Sequence, residues 1–145
     1  MTIGDMDKLL SSILPRDTLA LDPPSPADWD RVQQAFQCQF GDDYRHFVTL
    51  MSKYAFPGDI FNISGSRTNG DDHVSLVYDL EMQNGRWQKH MIPFYGIGNG
   101  DYFCLNRDEC PSSPVYYWYH DGESAEIVSP SFEAWIRKLP EFLGR

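Results

Sequence analysis

An aspartate and a histidine that could act together as an acid and a base follow two distinctive segments of this sequence. Asp101 follows a glycine-rich stretch, residues 96–100, and His120 and Asp121 follow an aromatic run, residues 115–119. If the fold brings them together, they could transfer a proton or hold a metal ion. Hydrolysis would also need an exposed nucleophile beside the base. The sequence indicates none, because Cys104 lies inside a predicted strand. A small hydrolase that uses these residues is one open alternative.

The glycine-rich stretch, GIGNG, raises a second possibility, which is a phosphate site. Phosphate loops place their glycines between a strand and the first turn of a helix, so that free backbone N–H groups face the anion. Here the following segment, DYFCLN, reads as a strand, and no Lys-Ser or Lys-Thr pair is present. The glycines therefore predict a strand-to-strand connection that needs positive φ angles.

The remaining titratable residues do not form a metal-binding pattern. Four histidines are scattered along the chain, and none has ligand spacing to a cysteine or another histidine. We therefore expect neither a metal nor a cofactor. The three cysteines are an odd and sparse set, which favours a reducing compartment over a disulfide framework.

The composition describes a globular, acidic protein. The chain has 145 residues, of which 41% are hydrophobic, and a formal net charge of −9. We expect a single domain, with a first helix and a proline-rich linker in residues 1–24 and the core in residues 25–145. The negative charge disfavours nucleic acid and suits a basic protein partner. No apolar run approaches the roughly 20 residues of a membrane-spanning helix, and no secretory signal is visible, so the cytoplasm is the expected location.

Helical patterns precede strand patterns along the chain. Ser25, Pro26 and Asp28 predict a capped helix start, and a final helix follows residue 130. In between, alternating apolar residues predict a strand over 74–82, joined by a hairpin turn at 84–85 to a strand that pairs Asp79 with His90. Further strands are predicted at 102–106, 115–119 and 125–128. The fold class is therefore α+β, an antiparallel sheet with N-terminal helices and a C-terminal helix packed on one face.

The aromatic strand PVYYWYHDGE carries large side chains on both faces. Trp118 and Tyr116 share one face, and Tyr117 and Tyr119 share the other. Either loops cover the second face or that face binds a partner, since tyrosine and tryptophan are common interface anchors. We place Trp118 in the core. We assign a partner-binding patch to acidic and aromatic residues around this strand and in the loop SGSRTNGDDH, namely Asp71, Asp72, Asp101, Tyr117, Tyr119, His120, Asp121 and Glu123.

Several of these segments together resemble the SUKH superfamily, which includes yeast cell-wall-assembly and killer-toxin-resistance regulators and bacterial immunity proteins. The resemblance lies in the Ile-Pro-Phe of residues 92–94, the Gly-Asn-Gly-Asp turn with its following strand (98–106), the Val-Tyr-x-Trp-x-His-Asp strand (115–121) and the Ser-Phe-x-x-Trp helix start (131–135). One departure is Phe40-Gly41, where the family usually has Leu-Pro.

The resemblance implies a non-catalytic binding domain of an immunity protein. Such a protein neutralises a polymorphic toxin, often a nuclease, by direct binding, and a nuclease partner would be basic. A regulatory scaffold for an endogenous cell-wall or signalling enzyme is the alternative, as in the yeast members. The identity of the toxin and the oligomeric state stay open.

Overall fold

The computed structural model describes residues 1–17, 22–64 and 73–143. The helices in this part of the chain are α1 (Ile3–Ile13), α2 (Pro26–Phe36), α3 (Asp42–Met51), α4 (Val74–Gln83), α5 (Phe132–Arg137) and α6 (Leu139–Phe142). The strands are β1 (Asp59–Ile60), β2 (Met91–Gly96), β3 (Tyr102–Asn106), β4 (Val115–Tyr119) and β5 (Ser124–Ser129). They form an antiparallel sheet in the order β1-β2-β3-β4-β5. The α+β prediction is confirmed.

Helix α2 begins with the predicted capping box. The Ser25 hydroxyl accepts a hydrogen bond from the Asp28 backbone N–H at 3.1 Å, and the Asp28 carboxylate accepts one from the Ser25 N–H at 2.8 Å. These two bonds satisfy backbone donors that a helix start leaves free. Pro26 occupies the first turn, where its missing N–H costs nothing.

The main core lies between one face of the sheet and the helices α1, α2, α3 and α5. Phe94 of β2 is at its centre, with ring centroids 5.0 Å from Trp135 and 5.4 Å from Phe132. Met6 and Leu10 of α1 are fully buried in the same cluster. Burial of each large apolar side chain stabilises the fold by about 1.5–3 kcal/mol.

A second, smaller cluster covers the opposite face of the sheet. It contains Trp87, Met91, Cys104 and Trp118. The Trp87 indole N–H donates to the Met91 carbonyl at 2.8 Å, and its ring lies 4.7 Å from that of Trp118. On β4, Trp118 and Tyr116 pack in this cluster and Tyr117 packs against the main core, and Trp118 is in the core as predicted.

The predicted strand over 74–82 is wrong, because this segment forms helix α4. Val74, Val77 and Tyr78 have the i, i+3, i+4 spacing of a helix and are the residues that pack inward, whereas Leu76 and Leu80 are exposed. His73 caps the helix by accepting a hydrogen bond from the Ser75 N–H at 3.1 Å.

The predicted hairpin at 84–85 is consequently wrong as well. Asn84 is the C-cap of α4, and Gly85 follows it with φ of +77°. A glycine with positive φ commonly ends a helix, and this use explains the Asn-Gly pair as well as a hairpin turn would. Since Asp79 lies on a helix, its cross-strand pairing with His90 does not form.

Candidate interaction surface

The glycine-rich segment connects β2 to β3, as predicted. Gly98 and Gly100 have φ angles of +95° and +93°, which side chains with a Cβ rarely adopt. The Asn99 side chain accepts a hydrogen bond from the Asp101 N–H at 3.0 Å and thereby closes the turn. A strand follows the glycines, so the arrangement of a phosphate loop does not form.

Gly100 lets this loop approach the end of β4. A Cβ atom on Gly100 would lie 3.1 Å from the Cβ and Cγ atoms of His120. The close approach brings Asp101, at the end of the loop, to His120, which follows β4. The fold thus brings together Asp101 and His120, whose proximity the sequence pattern left open.

Asp101 accepts hydrogen bonds from three donors, one on β4 and two on His120, the residue that follows the strand. The His120 backbone N–H donates at 2.9 Å, the His120 ring Nδ1 at 2.6 Å and the Tyr117 hydroxyl at 2.8 Å. Burial alone would raise the pKa of Asp101, but the hydrogen bonds from His120 and Tyr117 outweigh it, so the pKa lies below its ordinary value. The ionised carboxylate can only accept, so the Nδ1 atom of His120 carries a proton.

Tyr117 and Tyr119 extend this network along β4. Their ring centroids are 4.7 Å apart, and the Tyr119 hydroxyl donates to Glu126 of β5. Tyr117 is half-buried, with its ring 5.2 Å from Phe103 of the core. Burial, followed by the hydrogen bond to Asp101, raises the pKa of Tyr117. Tyr117 therefore packs against the core, whereas Tyr119 lies at the end of the strand.

The two remaining acidic residues of the predicted patch that the structure describes lie on the β4–β5 turn. Asp121 and Glu123 are both exposed. Glu123 has a φ of +50° and forms an exposed ion pair with Arg86 at 3.4 Å. We use the term "β4 end surface" for the six residues that this part of the fold brings together: Asp101, Tyr117, Tyr119, His120, Asp121 and Glu123. Asp71 and Asp72 lie outside the described residues.

The Asp101–His120 pair has the geometry of an oriented base but lacks a visible nucleophile. In the described part of the chain, no serine hydroxyl or cysteine thiol forms a hydrogen bond with His120. Cys104 is fully buried, and this burial raises the pKa of its thiol well above the ordinary value. No group of three potential metal ligands is found among these residues either.

Comparison with known proteins identifies the family. The family model described as SMI1-KNR4 cell-wall, of the SUKH type, matches residues 6–142. This chain belongs to the SUKH family. The predicted superfamily is thereby confirmed, and the family is generally non-catalytic.

A solved structure shares the fold of this SUKH protein. It is titled as the crystal structure of a protein from Pseudomonas syringae pv. tomato, and the two chains are 14% identical. The match covers 94% of this chain and 96% of the other, with a TM-score of 0.67. No curated protein matches the chain. In its described residues, the SUKH protein has no helix that is long and apolar enough to cross a membrane.

The fold places two further acidic residues in a groove with Asp101, and the sequence pattern did not predict either of them. Asp59 of β1 and Glu81 of α4 line a groove with Asp101, and the Tyr102 hydroxyl donates to Glu81 at 3.0 Å. The groove was not predicted because residues 74–82 were assigned to a strand, whereas they form the helix α4 that makes one wall of the groove. The helical spacing of Val74, Val77 and Tyr78 is the signal that could have revealed it.

A larger cavity of about 430 Å³ lies where α3, residues 110–113 and the start of α5 meet. Gly41 lines it, and a Cβ on this glycine would lie only 2.5 Å from the Pro111 carbonyl oxygen. This contact gives a physical reason for a glycine at position 41. Two residues that line the cavity, Tyr44 and His46, have buried polar atoms with no hydrogen-bond partner among the described residues.

Proposed function

We propose that this protein is an immunity protein that binds and neutralises a toxin through the β4 end surface. The observation that carries the proposal is the clustering of Asp101, Tyr119, His120 and the exposed turn acids at one end of the sheet. A rigid aromatic side chain beside negative charge is suited to a protein partner, since tyrosine gives a large contact area at low entropic cost.

The charge of the chain supports a basic partner. With a formal net charge of −9, the protein attracts a cationic surface over distances of about 10 Å at ordinary ionic strength. A toxin that cleaves nucleic acid needs positive charge to hold phosphates. An acidic partner that covers this positive surface would block the substrate without any chemistry of its own. Neutralisation by occlusion is therefore the proposed mechanism.

Deletion of the gene in the native cell tests this proposal. An immunity protein is needed only when the toxin is present, so the deletion strain should grow normally alone and lose viability beside toxin-producing neighbours. Complementation with the wild-type chain should restore survival. Equal survival of the deletion and parent strains beside every toxin-producing neighbour would contradict the immunity role.

A regulatory scaffold is the second candidate, and the description of the matching family as cell-wall proteins favours it. A scaffold would bind an endogenous cell-wall or signalling enzyme through the same surface. Its loss would cause a growth or envelope defect in isolated cells, where no toxin is present. The deletion strain thus distinguishes the two functions.

A small hydrolase is the third candidate, and it rests on the bond between Asp101 and His120. In that case His120 would be the base, oriented by the carboxylate. The variant His120→Gln should then abolish an activity that the wild-type protein shows against ester or phosphoester substrates. If neither protein shows activity above the uncatalysed rate, the hydrolase fails.

A further inference from the structure

A groove with acidic and apolar walls lies beside the β4 end surface. It has a volume of about 310 Å³ and runs between helix α4 and the loop that joins β2 to β3. Asp101 belongs both to this groove and to the β4 end surface, so the two are continuous. Asp59, Phe61, Val77, Leu80, Glu81 and Tyr102 line the groove beside the glycine-rich loop.

The charge in this groove has one sign. Asp59 and Glu81 line it together with the buried Asp101, whose carboxylate already accepts hydrogen bonds from His120 and Tyr117. No lysine, arginine or histidine is among the lining residues. Burial raises the pKa of Tyr102, and the nearby carboxylate of Glu81 raises it further. Glu81 accepts one hydrogen bond from Tyr102, and a carboxylate can accept up to about four. The groove therefore has unused capacity for a donor that carries positive charge.

Exposed apolar side chains flank the groove. Leu80 of α4 is 52% exposed and lines it, while Leu76, one helical turn earlier, is 45% exposed. Ile97, between two of the lining glycines, is 40% exposed. Large apolar residues grouped on one exposed face are typical of interaction surfaces. The apolar flank suits the hydrocarbon stem of a long side chain and an apolar neighbour.

The glycines keep the loop side of the groove open. A Cβ on Gly98 would meet no atom within 4 Å. At Gly96, a Cβ would lie 3.1 Å from the Phe61 ring and 3.3 Å from the Tyr102 ring. The loop thus presents bare backbone on this side.

We propose that this groove receives a basic side chain of the partner protein, with an apolar residue next to it. The proposal rests on the proposed binding function and adds the chemistry that is recognised. The guanidinium or ammonium group is bound by the carboxylates of Asp59 and Glu81, and its stem packs on Val77 and Leu80. The occupant is selected by its positive charge and by the apolar contacts that its stem and the neighbouring apolar residue make with the groove.

Nuclear magnetic resonance with a short peptide tests the groove without the partner. The probe is acetyl-Leu-Arg-Leu-amide, and the control is the same peptide with neutral citrulline in place of arginine. In ¹⁵N-labelled protein, the arginine peptide should shift the amide signals of Gly96, Gly98 and Gly100 in a saturable manner. The citrulline peptide should shift them at least tenfold less at equal concentration. Equal shifts with both peptides, or no saturable shift at these glycines, would overturn the proposal.

Variants locate the binding within the molecule. The double variant Asp59→Asn, Glu81→Gln keeps hydrogen-bonding groups but removes two charges, and it should abolish the glycine shifts. Asp30→Asn, Glu141→Gln removes two charges from exposed positions on α2 and α6 and should leave the glycine shifts unchanged. A loss of the shifts that is equal in both double variants would show that only net charge attracts the peptide, and would contradict the groove.

The two proposals can fail separately. The double variant Asp59→Asn, Glu81→Gln could bind the partner with wild-type affinity and still neutralise it. In that case the groove proposal fails and the immunity role stands. If the peptide saturates the groove but deletion of the gene has no effect beside toxin-producing cells, the immunity role fails and the groove stands.

Discussion

Asp101, at the end of the β2–β3 loop, accepts hydrogen bonds from both the backbone N–H and the ring Nδ1 of His120, at 2.9 and 2.6 Å. The two residues are far apart in the sequence, and their contact ties the loop to the end of β4. The same carboxylate also belongs to the groove beside α4. Asp101 is thus the residue that connects the two parts of the candidate surface.

Replacement of Asp101 by asparagine should destabilise the protein and change its response to acid. The loss of charge-assisted hydrogen bonds should lower the free energy of unfolding by about 1–3 kcal/mol at neutral pH. The folded pKa of Asp101 lies below the ordinary value of 3.8, so its contribution is present above that value and is lost as the pH falls through the folded pKa. Urea unfolding between pH 7 and pH 2 measures this. The difference between wild type and variant should shrink in acid, and a constant difference would contradict the assignment.

Replacement of Gly41 by alanine should destabilise the protein through a steric clash. The added Cβ would lie 2.5 Å from the Pro111 carbonyl oxygen, so the backbone must shift. We expect a loss of about 1–3 kcal/mol in the free energy of unfolding. Gly4→Ala is the control, since its Cβ would have space in helix α1, and alanine favours a helix by up to about 1 kcal/mol. The midpoint of thermal unfolding should fall in Gly41→Ala and rise in Gly4→Ala. A Gly41→Ala variant that is as stable as the wild type would refute the contact.

Two alanine variants distinguish the helix at 74–83 from the strand that the sequence pattern predicts. In a strand, Val74 and Leu76 would share a face and have similar effects. In α4, Val74 is fully buried and Leu76 is 45% exposed. Val74→Ala should therefore cost about 1–2 kcal/mol of unfolding free energy, and Leu76→Ala less than about 0.5 kcal/mol. Chemical denaturation of the two variants decides the matter, because comparable losses would favour the strand.

This segment also shows what the sequence could and could not predict. The capping box at Ser25 and Asp28 was predictable because both partners are close in the sequence, and the strands around residues 102–106 and 115–119 have strong apolar and aromatic patterns. The helix over residues 74–82 was not predictable from the pattern. The exposed Leu76, Leu80 and Met82 produce an alternation of apolar and polar residues that is typical of a strand, although none of the three is buried. That exposure depends on tertiary contacts, which a local pattern does not contain.

The candidate surface was predictable only in part for the same reason. Asp101 and His120 were both suspected, and the short β2–β3 loop brings them together. Asp59 and Glu81 were missed because their place beside Asp101 depends on where α4 packs. The roles of Asp71 and Asp72 stay predictions.

The cysteines should differ in reactivity. A hydrogen bond from the Cys110 thiol lowers the pKa of Cys38 despite partial burial, and the cation of Arg107 lowers it further. Since the thiolate is the reactive form, Cys38 should be alkylated by iodoacetamide several-fold faster than Cys104 at pH 7. Cys110→Ala should slow the reaction of Cys38 at this pH. Mass spectrometry of the labelled protein measures both rates, and an unchanged Cys38 rate in the variant would contradict the thiol contact.

Charge reversal on the β4–β5 turn should weaken binding of a basic partner. Asp121 and Glu123 are exposed, so Asp121→Lys, Glu123→Lys should leave thermal stability nearly unchanged. Association should slow at least tenfold at low salt, and the difference from wild type should shrink as salt is added. The control Asp30→Lys, Glu141→Lys has the same net charge and should have a much smaller effect. Binding kinetics across a salt series measure this, and wild-type association that does not depend on salt would contradict the electrostatic mechanism.

The most direct test is a titration of toxic activity. A tagged form of the chain is used to capture its partner from the native cell, and the activity of the purified partner is then assayed with increasing amounts of untagged chain. If the protein is an immunity factor, a basic partner should be toxic alone and fully silenced near an equimolar ratio, with Asp121→Lys, Glu123→Lys needing a large excess. If the captured partner is instead an endogenous envelope or signalling enzyme whose activity the chain does not block, neutralisation is contradicted and the scaffold function is favoured.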